Sequence, residues 1–408
     1  MRKIKRSLLF LLIPALIAGA AVVSSFTGSA QKPRGFVGEY TPDQTTLAEC
    51  AAGVSDFTNC WYQAFANLTY AEGVPAAFAR LEAEIGALPE VNKVCHIITH
   101  GIGAGGYLRS GGDLAQTVAG GSDICGGFYH GVMIQALKNI SDTDPATAAS
   151  EMVETCLDRN TFPLDGERTS CMHGAGHALM VRNDNDLPAM LEVCDEVESR
   201  ELGMGYYCAL GVTMENFISS WGFERRWLKE SDPMYPCDVL APRYKAACYG
   251  GIVQLHIQLV GTDPDALGAL CRTAESDWAA YCMRQAYADL DPNEWQTPGK
   301  IIARCEKVAP YGRVCLWSAI SGLAARGGGS DRLALAEGLC ALAPDGPLGE
   351  ACAYAIGAQL NEGVEIERRC ASFSQRPTLD RWCRDQAFPS EGMRDLGIFI
   401  SSENGVNP

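Results

Sequence analysis

Thr297-Pro-Gly-Lys-Ile-Ile-Ala-Arg-Cys305, then nine residues, then Cys315-Leu-Trp-Ser-Ala-Ile320: this stretch decides the fold. A hydroxyl residue before proline is a helix start. Its side chain can cap the free amides, and proline in the first helical position gives up no hydrogen bond. After Cys315, the apolar residues Leu316, Ile320 and Leu323 fall at helical spacing rather than in alternation. The stretch therefore predicts a helix ending in cysteine, a connecting loop, a second cysteine and a second helix.

The same unit recurs along the chain. Sixteen cysteines fall into close successive pairs: Cys50/Cys60, Cys156/Cys171, Cys194/Cys208, Cys237/Cys248, Cys271/Cys282, Cys305/Cys315, Cys340/Cys352 and Cys370/Cys383. Second members recur roughly every 31 to 46 residues, the mark of a helix-pair array, with Cys95 and Cys125 filling the gap between Cys60 and Cys171. Asp144-Pro145 and Asp263-Pro264 open runs that end at Cys156 and Cys271, as Thr297-Pro298 does at Cys305. Small residues follow the second cysteine, as in Cys208-Ala-Leu-Gly-Val and Cys352-Ala-Tyr-Ala-Ile-Gly, and let neighbouring backbones approach. A disulfide within each pair would close a loop worth up to about 3 kcal/mol and pin the end of one helix to the start of the next. Spacing alone leaves pairing across repeats open. The expected fold is all-α, an α/α helix-pair repeat solenoid stapled by disulfides over residues 47–388. A linker at 31–46 would precede it and a polar tail at 389–408 would follow.

A short helix ending in cysteine, a loop, then a cysteine and a small-residue helix with Leu210-Gly211 or Ile356-Gly357 resembles the secreted cysteine-rich branch of the tetratricopeptide-like repeat proteins. The resemblance runs over most pairs from Cys156 to Cys383. It implies an α-solenoid of the kind that serves as a binding surface, and it maps no functional residue.

Charge and cysteine usage fix the setting. The net charge of -16 repels nucleic acid and anionic lipid headgroups, so both are excluded as partners. Arg2, Lys3, Lys5 and Arg6 precede an apolar run of 16 residues, Leu8 to Val23, and then Gly28-Ser29-Ala30. Residues 1–30 therefore read as a signal peptide or an uncleaved membrane anchor, with Pro14 and Gly19 weakening a lasting span. Eighteen cysteines without one C-x-x-C are staples of an oxidising compartment rather than zinc knuckles. The expected location is extracytoplasmic: secreted, periplasmic or membrane-anchored facing outward.

The chemistry is concentrated in six histidines. Five lie in three successive second helices: Cys95-His96-Ile-Ile-Thr-His100-Gly101, Cys125-Gly-Gly-Phe-Tyr129-His130-Gly131 and Cys171-Met-His173-Gly174-Ala-Gly-His177. Aligning the His-Gly steps makes His100, His130 and His173 equivalent, with His96 one turn earlier and His177 one turn later. Spacing of i, i+4 places each pair on one helix face, and helices in contact lie about 8–10 Å apart, so imidazoles from three neighbours can converge. Neutral imidazole suits zinc, iron and copper, and a bis-histidine haem is a weaker alternative. Glu215 is a further candidate ligand, as is His256 on the helix read from Cys248-Tyr-Gly-Gly-Ile-Val-Gln-Leu-His256. Cys95 and Cys125 are either a disulfide between neighbouring repeats or two thiolates that add soft ligands. Tyr129 is a candidate proton donor. Repeats also copy packing histidines without chemical purpose, and duplication alone would produce three His-Gly steps.

Other signals carry less. Gly101-Ile-Gly103-Ala-Gly105-Gly106 fits a dinucleotide fingerprint but follows a predicted helix, not a strand. Asp184-Asn185-Asp186 reads as a helix start rather than a calcium loop. The aromatic run Trp221 to Trp227 is a candidate partner patch, and Asn67-Leu-Thr69 and Asn139-Ile-Ser141 fit the glycosylation pattern. The sequence thus points to a histidine-rich metal site in an exported solenoid, either a redox or hydrolytic metalloenzyme or a non-catalytic scaffold for a protein or small-molecule partner.

Overall fold

The computed structural model describes residues 40–385 apart from positions 55, 89, 92–93, 123, 138–143, 219–226, 230, 262, 289–296, 326–329 and 360–365. The export segment, most of the linker, the polar tail, the Asn139 pattern and Trp221 to Arg226 lie outside the described residues. Among the described residues no helix is long and apolar enough to cross a membrane.

The described chain is all-α, with one isolated bridge between Lys229 and Asp232. The helices are α1 (Leu47–Ala51), α2 (Phe57–Glu72), α3 (Val74–Ala87), α4 (Cys95–Arg109), α5 (Leu114–Val118), α6 (Phe128–Ala136) and α7 (Pro145–Cys156). Then come α8 (Asp165–Arg182), α9 (Leu187–Arg200), α10 (Met204–Ile218), α11 (Pro242–Gly251), α12 (Val253–Val260) and α13 (Pro264–Cys271). The last are α14 (Ser276–Ala288), α15 (Pro298–Lys307), α16 (Gly312–Ala325), α17 (Ser330–Leu342), α18 (Pro347–Gln359), α19 (Ile366–Arg369) and α20 (Pro377–Asp385). Side-chain capping explains some of the starts but not that of α15, where Thr297 makes no side-chain cap bond and Pro298 in the first turn is the start signal that remains. Asp144 accepts from the Thr147 amide at 3.1 Å and Asp263 from the Asp265 amide at 3.0 Å, each ahead of a proline. Asp186 caps α9 after Asp184 and Asn185 turn through left-handed backbone, so that acidic trio is a helix start.

One row of helices packs in chain order: α2, α4, α6, α8, α10, α11, α14, α16, α18 and α20, each against the next. The helix preceding a row member packs on it from a second layer, as α7 does on α8, α9 on α10 and α13 on α14. Inside the row, α4, α6, α8, α10, α11, α16 and α18 are covered on several sides and show little amphipathic contrast, whereas α20 at the end of the row is strongly amphipathic. In α4, for instance, Ile98 through Gly106 are all buried. The core falls into two clusters, one from Tyr40 to Ala247 and one from Phe217 to Cys383, which meet where α10 packs on α11.

All eighteen cysteines are paired, with Cα–Cα separations from 5.3 to 5.7 Å. The eight sequential pairs, from Cys50–Cys60 to Cys370–Cys383, close within their own units, so pairing across those repeats does not occur. Nine disulfides fit an oxidising, extracellular setting.

Three local expectations are corrected, two of them in one unit. The Cys237–Cys248 bond forms as the spacing predicts, but Cys237 does not hold the helix-end position that the repeat assigns it. Cys237 lies in a run of turns rather than at a helix end, because no helix forms between Ser231 and Ala241. Cys248 stands inside its helix rather than at the start, as the second cysteines of the other units do: it is the seventh residue, like Cys171, Cys282 and Cys383 in theirs. That helix starts at Pro242, and Cys248 falls close to its end, since α11 stops at Gly251. The single helix expected from Cys248 to His256 is therefore two, α11 and α12, divided at Ile252. Gly250 and Gly251 explain the division, because consecutive glycines give a helix little reason to continue. The third correction concerns Tyr40, assigned to the linker: it is buried and donates to Asn67 Oδ1 at 2.8 Å. Asn67 in turn donates to Asp43 and the Thr45 carbonyl, and Thr69 is buried inside α2, so this glycosylation pattern is consumed by packing.

Candidate metal centre

Four consecutive members of the row build the site. His96 and His100 stand one turn apart on α4, His130 on α6, His173 and His177 on α8, and Glu215 on α10. The glycines beside the histidines let these helices close up. A Cβ on Gly131 would collide with the His100 carbonyl, one on Gly174 would come within 2.8 Å of the Tyr129 carbonyl, and one on Gly211 would collide with the His173 carbonyl. The glycine run of α4 is likewise helix packing, with Gly103 set against Phe128 and Gly105 against Ala66.

The five imidazoles form one continuous cluster. Ring centroids lie 4.9 Å apart for His96/His100, 5.0 Å for His96/His130 and for His100/His130, 4.6 Å for His130/His173, 4.4 Å for His130/His177 and 5.0 Å for His173/His177. Two nitrogen pairs approach to 3.1 Å: His100 Nε2 with His130 Nδ1, and His173 Nε2 with His177 Nε2. Two nitrogens bound to one ion at 2.0–2.1 Å and a tetrahedral angle stand about 3.3 Å apart. Each observed pair is an N–H···N hydrogen bond in the metal-free chain, at a spacing close to that of two ligands of a single ion.

Hydrogen bonds at the two ends of the cluster fix ring tautomers. His177 Nδ1 donates to Glu215 Oε2 at 2.8 Å, and His96 Nδ1 donates to the Cys125 carbonyl at 2.8 Å. A carbonyl only accepts, so the proton of neutral His96 sits on Nδ1 and its Nε2 carries the lone pair. The Glu215 carboxylate imposes the same state on His177. This is the arrangement in which metal-binding histidines are oriented by an acceptor behind them. His100 Nδ1 is buried without a hydrogen-bond partner, which costs about 1–3 kcal/mol.

Burial decides the charge state. Desolvation pushes His100, His130 and His177 well below the ordinary imidazole range, and the neighbouring imidazoles add to the shift. Burial, reinforced by His96, pushes His173 down to about 3. The ion pair that Glu215 offers His177 runs against this trend, but desolvation and three other histidines outweigh it. These rings are therefore neutral at pH 7, the state that binds metal.

Donor atoms of His96, His100 and His130 lie within 4.8 Å of one another, as do those of His130, His173 and His177. The remaining candidates stand differently. Cys95 and Cys125 are bonded to each other, so their sulfurs are not thiolate ligands. Glu215 stands behind His177 in a supporting position. His256 lies elsewhere, on α12, with Nε2 donating to the Pro233 carbonyl at 3.0 Å and Nδ1 facing Cys282 Sγ at 3.8 Å. Cys271 and Cys282 beside it form a disulfide, which removes them as donors too. Tyr129 packs between Phe128 and Phe162 at 5.5 and 6.0 Å. Rings in mutual contact leave no slot for a macrocycle, so the haem alternative does not fit. Sequence reasoning missed the Cys125 carbonyl, because a backbone acceptor has no residue signature. The comparisons with protein-family models, curated proteins and solved structures find no match to this chain.

Proposed function

We propose that this chain is an exported metal-binding protein whose five clustered histidines hold zinc, copper or iron outside the cytoplasm. One observation carries the reading: imidazoles at both ends of the cluster are anchored through Nδ1 by acceptors, Glu215 and the Cys125 carbonyl. Any buried imidazole N–H needs an acceptor, but here the acceptors stand behind the rings and leave the opposite nitrogens of His96 and His177 directed into the cluster, as ligands of an ion are. Three imidazoles per ion leave a coordination position for water or substrate, the condition for hydrolytic or redox chemistry. His96 and His173 keep partial exposure at the edge of the cluster and offer the approach.

The test is elemental analysis of the full chain recovered folded from an oxidising compartment. Near-stoichiometric metal is expected, with its loss in a His100→Ala/His173→Ala double variant that keeps its helical spectrum. Folded protein that takes up no zinc, copper or iron would overturn the proposal. A second reading, a non-catalytic scaffold for a protein or small molecule, is favoured by the other half of the stack. From α11 to α20 the row continues without another histidine cluster among the described residues, and a stack of helix pairs offers a long binding surface.

A further inference from the structure

The five histidines do not form one ligand set. They divide into two triads that share a single residue, His130. Ligands of one ion at 2.0–2.1 Å can be at most about 4.2 Å apart, so five ligands around one centre would read as a single group. Each triad instead joins two helices. His96 and His100 of α4 meet His130 from one side, and His173 and His177 of α8 meet it from the other.

His130 sits on the middle helix of the three, packed by α4 and α8. Its Nδ1 faces His100 Nε2 at 3.1 Å, and its ring lies tilted by 32° and 27° against His173 and His177. An imidazole has two nitrogens on different edges, and both become ligands once its N–H proton is removed. The anchoring is symmetric about this residue. The Cys125 carbonyl orients His96 at one end, and the Glu215 carboxylate orients His177 at the other.

Resting on the metal-binding reading above, we infer that the site is a two-ion centre bridged by the His130 imidazolate. One ion is held by His96, His100 and His130 Nδ1, the other by His173, His177 and His130 Nε2. Forming the bridge breaks the remaining N–H bond of His130 and sends that proton to solvent. His173, whose Nε2–H donates to His177 Nε2 in the metal-free chain, first shifts its proton to Nδ1, and none of the other four rings releases a net proton. The buried imidazolate is balanced by two cations, and each ion keeps a position open for water or a bridging substrate atom.

Copper(II) is the probe, because it binds nitrogen sites most tightly of the common divalent ions and carries an unpaired electron. The folded, disulfide-bonded full chain is stripped with chelator, loaded with copper(II) and freed of unbound metal. Copper content and integrated low-temperature EPR intensity are then measured on the same sample. The expected result is two coppers per chain with an EPR signal that is a small fraction of that content, since the imidazolate couples the two spins. A His96→Ala/His100→Ala chain should hold one copper at full intensity, from the triad left intact. No bound copper in the folded wild-type chain would overturn the metal-binding reading itself. One copper per wild-type chain would overturn the two-ion centre and leave that reading standing. Two coppers at full EPR intensity would overturn the bridge. Two coppers retained in the double variant would overturn the assignment of ligands.

Discussion

Glu215 is a buried carboxylate with a neutral imidazole as its hydrogen-bond partner, an expensive arrangement unless the partner gains from it. Glu215→Gln keeps an acceptor for His177 Nδ1 but removes the negative charge behind the ligand. Metal affinity is expected to fall about 10-fold to 100-fold, read by competition with a chromophoric chelator, while the helical spectrum is retained. The histidines also set an acid limit for the metal-free protein. Their folded-state values lie below the ordinary imidazole value of 6.5, so the unfolded chain takes up protons first as pH falls. Their contribution is whole above about 6.5 and is lost progressively on acidification through the folded-state values. Urea midpoints of stripped protein should therefore hold near pH 7.5 and drop steadily below about pH 6.5 down to 4.5, and a flat profile would contradict a neutral buried cluster. At this scale the sequence was readable where residue identity carries the signal. The i, i+4 histidines and the His-Gly steps named all five clustered rings. It misplaced His256 because counting repeats treats each unit as alike. The turns before Cys237's partner helix, and the end of that helix just after Cys248, put His256 on an element of its own.

Between elements, the decisive contacts are backbone on backbone. Gly131 lets α6 rest on the His100 carbonyl of α4, and Gly211 lets α10 rest on the His173 carbonyl of α8. Gly131→Ala places a methyl where that carbonyl lies and must push the two helices apart. The expected cost is about 1–3 kcal/mol in an unfolding experiment, with weaker metal binding because His100 and His130 separate. Gly338→Ala is the matched control. It lies mid-helix in α17 with nothing within 4 Å of a Cβ, so it should be neutral or stabilising by up to about 1 kcal/mol. Helix starts and the cysteine-loop-cysteine unit were legible because caps and spacing are local. Which helix rests on which is a non-local matter, whereas for the Cys237 unit the sign was local and was passed over: Pro233 and Pro236 interrupt any helix leading to the cysteine.

For the molecule as a whole, the division of the core assigns the histidine centre to one part. All five clustered histidines lie on helices of the Tyr40–Ala247 cluster, and none on those of the Phe217–Cys383 cluster. Metal that binds only the folded state stabilises by about 2.7 kcal/mol at a free concentration 100 times its dissociation constant. Amide hydrogen exchange should therefore slow on loading in α4, α6 and α8 and stay unchanged in α16, α18 and α20. Uniform slowing along the row would mean that the two parts unfold as one. The Cys95–Cys125 bond has a consequence for how such a protein matures. His96 takes its orientation from the carbonyl of Cys125, and Cys125 is tied to the first residue of the helix that carries His96. While those two sulfurs are thiols, one end of the ligand cluster lacks its fixture. On the metal-binding proposal, oxidation comes before loading, and the ions would come from the supply outside the cell's reducing interior rather than from the cytoplasmic one.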